Sequence, residues 1–156
     1  MPKSIIFMAV VFGWGAGQVL DSIVRYSIKI DYFVWESIGV PFLHFLFSFT
    51  SLALTVSALT VLLKPRPAGY MICLIAASWS AIYGALVTWL ALRDLPGVRE
   101  IYLSGREIRG LSVREDAADL IFTPTGMLGS YGLALLFWSV VIFLLWRRRD
   151  WFLTAA

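Results

Sequence analysis

Residues 37–63 read SIGVPFLHFLFSFTSLALTVSALTVLL, and from Ser37 to Leu63 the run contains no aspartate, glutamate, lysine or arginine. A helix of about 20 apolar residues crosses the hydrocarbon core of a bilayer, so this stretch alone is long enough to do so. Three more uncharged runs accompany it, Ser4 to Leu20, Pro67 to Leu92 and Leu120 to Trp146, with charged segments between them. The sequence therefore predicts an all-α integral membrane protein, a four-transmembrane-helix bundle with spans near 4–24, 40–63, 68–92 and 125–147. A partly helical external loop over 93–124 joins the last two, and residues 1–156 form a single membrane domain.

Composition points the same way. The chain is 60% hydrophobic and 15% charged, with a mean hydropathy of +0.81. Soluble domains carry about 25% charged residues. The net charge is +3 and the pI near 9.2, yet the basic residues stand beside the spans and do not gather into one stripe. They read as topology signals, and no nucleic-acid partner is expected. Cys73 is the single cysteine, which excludes an intramolecular disulfide, a zinc cluster and a CxxC pair. Gly15-Ala16-Gly17 loosely imitates a signal-peptidase site, but Met1 to Leu20 reads as a retained first span.

Pro2, Pro41, Pro67 and Pro124 each stand at or near the start of a span, where a missing N–H is harmless. Thr123 is the expected N-cap of the fourth span, and Gly39 with Val40 turns the chain into the second. Lys3, Lys64, Arg66 and Arg147-Arg148-Arg149 fall on one side of a four-span arrangement. The positive-inside rule then places both termini in the cytoplasm, in a cell or inner membrane. Arg147, Arg148 and Arg149, flanked by Trp146 and Trp151, are placed to meet anionic lipid headgroups, at about 1 kcal/mol per basic residue. In the 93–124 loop, Ser104 to Glu107 and Ser112 to Glu115 both fit the S-x-x-E capping box, so short helices are expected to open at each.

Polar side chains are costly in lipid, and their spacing marks inward faces. Trp14, Gln18, Asp21 and Arg25 share one face of the first span, with Gly13 and Gly17 as a small-residue ridge beside it. His44, Ser48, Ser51, Thr55 and Ala58 make a stripe on the second. Ala76, Ser80, Gly84 and Thr88 recur every four residues on the third. Gly13, Gly17, Ala76, Ser80 and Gly84 are read as helix-packing positions. Gln18, Asp21, Arg25, His44 and Thr88 converge on one outer layer and form the candidate ligand or ion site. Asp21 has two readings there, a carboxylate paired with Arg25 or a buried one able to move protons or cations.

No Walker loop, HExxH, GxSxG or carboxylate cluster is present, so no catalytic residue and no metal ligand set is assigned. As the only histidine, His44 cannot build a bis-histidine haem site or a three-nitrogen zinc site, and would serve at most as a single axial ligand to a pigment. The sequence names no cofactor. Two functions remain. One is a non-catalytic accessory or assembly subunit of a larger membrane complex, or a homo-oligomer, with membrane lipids and a protein as partners. The other is a small oligomeric transporter, channel or ligand-binding protein using the layer around Asp21 and His44. A lipid-modifying enzyme, lacking an evident acid or base, ranks behind both.

Overall fold

The computed structural model describes residues 1–113 and 115–153. It is helical without strands among those residues. The helices are α1 (Lys3–Val24), α2 (Ile30–Ser37), α3 (Phe42–Leu63), α4 (Gly69–Arg93), α5 (Leu95–Ile108), α6 (Glu115–Ile121), α7 (Pro124–Arg147) and α8 (Asp150–Leu153), with one 3-10 turn at Tyr26–Ile28. Four of them, α1, α3, α4 and α7, are long and apolar enough to cross a membrane. They point to a multi-pass membrane protein. Large apolar side chains such as Val10, Leu46, Phe49, Ile82, Leu133 and Phe143 are exposed on the outer faces.

The starts follow the prolines, with one shift. Thr123 Oγ1 accepts from Gly126 N at 2.9 Å and caps α7, whose first residue is Pro124. The second span opens at Phe42 and not at residue 40, because Pro41 is itself the N-cap. Two short helices stop at glycines with left-handed backbones, Gly39 (φ 77°) after α2 and Gly110 (φ 67°) after α5. At each, paired bonds close the end: Gly39 N to Glu36 O and Val40 N to Trp35 O, then Gly110 N to Glu107 O and Leu111 N to Arg106 O. This double closure satisfies carbonyls that the helix end would otherwise leave open.

The loop departs from its first capping box. Ser104 opens no helix: it lies well inside α5, its Oγ bonded to Ile101 O at 3.3 Å. The helix starts nine residues earlier in the chain, at Leu95, because Asp94 accepts from Gly97 N at 3.0 Å and Pro96 stands in the first turn. The second expected helix is present as α6, described from Glu115, the last residue of the Ser112–Glu115 box. Helix α2 carries no signal of its own in the apolar runs and is the largest element missed by the spacing.

Helix α1 packs on α3, α3 on α4 and α4 on α7. Two apolar clusters close the two ends of this assembly. Near the chain termini, Ile5, Met8 and Phe12 meet Leu62, Cys73, Ala77, Val141, Leu145 and Phe152. At the opposite end, Val34 of α2, Ala91, Val98 of α5, Ala118 of α6, Phe122 and Met127 form the second. Arg148 Nε donates to Ser4 Oγ at 2.9 Å, so both ends of the chain lie together. Between the clusters stands a layer of polar and aromatic side chains.

Candidate functional site

Asp31 is the centre of that layer. Helix α2 carries it inward on the same face as Val34 and Trp35, three and four residues on, and this spacing sets the three on one side of a helix. Tyr83 of α4 donates its hydroxyl to Asp31 Oδ2 at 3.2 Å and accepts from Trp35 Nε1 at 3.3 Å. His44 Nδ1 stands 3.4 Å from the same Oδ2. Phe47 stacks against Trp35, Tyr83 and Trp79, with centroids 5.2, 5.4 and 5.6 Å away, and fixes the aromatic wall behind them.

His44 is fully buried. Its Nε2 lies 3.3 Å from the Ser22 carbonyl. A carbonyl only accepts, so Nε2 carries the proton in this contact. Nδ1 then faces the carboxylate and is without a hydrogen-bond partner. Tyr32 packs edge-on to the imidazole with centroids 5.5 Å apart. Burial pushes the Tyr32 phenol above its ordinary pKa, and Glu36 and Tyr26 add to the shift.

Two cavities meet at Asp31 and Tyr83. The first, about 250 Å³, is lined by Asp31, Tyr83, Gln18, Ser22, Ser48, Ser51, Thr55, Ser80, Val19, Gly15 and Trp138. The second, about 550 Å³, lies between α4 and α7 and includes Thr88, Val87, Met127 and Tyr131. Three of the hydroxyls of the first, those of Ser51, Thr55 and Ser80, have a common orientation. Ser51 donates to Phe47 O at 2.8 Å, Ser80 to Ala76 O at 3.1 Å, and Thr55 to Ser51 O. Protons are thus committed to the helices' own carbonyls, and what Thr55 and Ser80 offer the cavity is oxygen lone pairs. Ser51 also accepts from Trp79 Nε1 at 2.8 Å.

The residues expected to form one site separate into two places. Gln18 lines the first cavity, Thr88 the second, and His44 abuts Asp31 between them. Asp21 and Arg25 belong elsewhere. Asp21 is ion-paired with Arg25 one turn later and with Lys29 at 2.6 Å, and it lines neither cavity. Its paired reading is the one the geometry matches. Asp31 and Tyr83 were missed; the signal available was a lone acid inside an aromatic run, Asp31-Tyr32-Phe33-Val34-Trp35.

The packing positions divide as well. A Cβ on Gly13 would meet Leu59 at 3.8 Å, and one on Gly84 would meet the Tyr131 ring at 3.4 Å. Gly17 faces open space, and the close approach on α1 falls at Gly15, 3.3 Å from Thr55 Cγ2. Ala76 is buried in the terminal cluster, whereas Ser80 is a cavity wall. Arg147, Arg148 and Arg149 are exposed. Among the described residues no three His, Cys, Asp or Glu side chains are grouped to hold a metal ion. No family model, curated protein or solved structure gives a significant match to this chain.

Proposed function

We propose that this chain is a small multi-pass membrane protein that binds a small polar group in the cavity beside Asp31. One observation carries the reading. The Asp31 carboxylate has no lysine or arginine within salt-bridge distance among the described residues, in contrast to Asp21, and it opens onto a space walled by hydroxyl oxygens. A carboxylate held only by the Tyr83 hydroxyl and the His44 ring keeps its charge without a lysine or arginine to balance it, and an ionised group close to lipid is costly unless it serves a function.

The reading places the site in the outer half of the bilayer of a cell or inner membrane. The basic residues Lys3, Lys64, Arg66 and Arg147 to Arg149 support cytoplasmic termini, since the Arg148–Ser4 bond gathers the two ends. The test is accessibility. Ser80→Cys should react with a small cationic methanethiosulfonate in detergent, while Gly132→Cys on the outer face of α7, in lipid nanodiscs, should not. A silent Ser80→Cys would sink the reading.

A second reading, an accessory or assembly subunit or a homo-oligomer, is favoured by a different observation. Gly17 of α1 and Gly129 and Gly132 of α7 are exposed with nothing within 4 Å of an added Cβ, and small residues let a partner helix approach closely in lipid.

A further inference from the structure

The polar cavity adjoins an apolar one, with two wall residues in common. Between α1 and α7 lies a groove of about 420 Å³ walled by Val10, Val11, Trp14 and Phe137, and it shares Gly15 and Trp138 with the chamber beside Asp31. Helices α1 and α7 meet below this point through Phe12 and Trp138, centroids 6.0 Å apart, and through the terminal cluster. Gln18 both lines the chamber and is exposed, so the chamber opens sideways. In a bilayer such an opening leads into lipid, not into water.

We propose that the occupant is a single-chain amphiphile with an ammonium head, entering from the bilayer between α1 and α7. This rests on the function proposed above and names the ligand class for that site. The head would sit beside Asp31, whose Oδ2 is taken by Tyr83 and approached by His44 but whose Oδ1 has no partner among the described residues. Thr55 and Ser80 present lone pairs and no free proton, which suits a group that only donates hydrogen bonds. A phosphate or carboxylate head could take protons from Gln18, Ser22 or Ser48 but would be repelled by Asp31. The buried, unpartnered Nδ1 of His44, aimed at the same carboxylate, adds no positive charge in its neutral form. The chain would follow Gly15 and Trp138 into the groove. Gly15 is the gap in the wall: its added Cβ would already stand 3.3 Å from Thr55.

The experiment uses the full chain in lipid nanodiscs and reads bound adduct by native mass spectrometry, with decylammonium, decanol and propylammonium as probes. Decylammonium should bind as a one-to-one adduct and exceed decanol by about tenfold, the worth of one charge-assisted hydrogen bond. Asp31→Asn should remove that preference. Val10→Trp, which changes an exposed groove residue and leaves the core alone, should weaken decylammonium and spare propylammonium. Equal binding of decanol, or a preference that survives in Asp31→Asn, overturns the proposal. Equal occupancy by propylammonium also overturns it while leaving the chamber as a polar site. No adduct with any probe, together with a silent Ser80→Cys, removes both.

Discussion

His44 Nδ1 and Asp31 Oδ2 face each other across 3.4 Å, the one from α3 and the other from α2. The Tyr83 hydroxyl, donating to the same Oδ2 at 3.2 Å, ties the short helix to the spans at the level of the cavities. Removing His44 leaves a space in a fully buried position and removes the contact to the Ser22 carbonyl. His44→Ala should therefore destabilise the protein by about 2–4 kcal/mol, a cavity plus an unmade hydrogen bond, seen as a lower midpoint in thermal unfolding.

The same contact fixes the tautomer. Long-range proton–nitrogen NMR on labelled protein should find His44 protonated at Nε2. A neutral ring protonated at Nδ1 alone would contradict the contact between Nε2 and the Ser22 carbonyl.

Asp21 should matter little. Its partners are a lysine about a quarter exposed and an exposed arginine, and ion pairs near the surface contribute about 0–1 kcal/mol. Asp21→Asn should unfold within that margin of the parent and keep any ligand binding. A loss of binding would return the site to the Asp21 layer.

Much of the fold is legible because lipid imposes it. The four spans follow from uncharged runs and prolines, since a chain in hydrocarbon must satisfy its backbone within each helix. Thr123 and Gly39 are readable for the same local reason. Helix α2 is not, because its eight residues combine Asp31 and Glu36 with aromatics in a pattern that fits an interfacial connector equally well. His44 and Thr88 are buried and Gln18 lines a cavity while remaining exposed, and the carboxylate beside His44 comes from that connector. Ser104 misleads because the capping box is a three-residue spacing that also occurs inside a helix, and Asp94 with Pro96 is the stronger start.

The glycines separate assembly from folding. An added methyl at Gly69 would lie 2.9 Å from Phe152 Cδ1 and 3.0 Å from Val61 Cβ, so Gly69→Ala should cost about 1–3 kcal/mol by overpacking. Gly132→Ala, with open space, should be neutral or gain up to about 1 kcal/mol from helix propensity. Gly132→Leu should leave a monomer unaffected and break a homo-oligomer that uses this face, as size-exclusion chromatography with light scattering would report.

Cys73 is fully buried, its Sγ 3.6 Å from the Ala58 carbonyl. Thiol reagents should leave it unmodified in the folded protein and label it only on unfolding, which makes it an internal reporter of global stability by mass spectrometry.

The most direct measurement is native mass spectrometry of the chain released from its own membrane in mild detergent, beside Ser80→Phe, which fills the cavity at Asp31. The proposed function predicts a small-molecule adduct on the parent that Ser80→Phe lacks while remaining folded by Cys73 protection. A bare chain, or one that leaves the membrane only in fixed ratio with other polypeptides and with no small molecule, would contradict it.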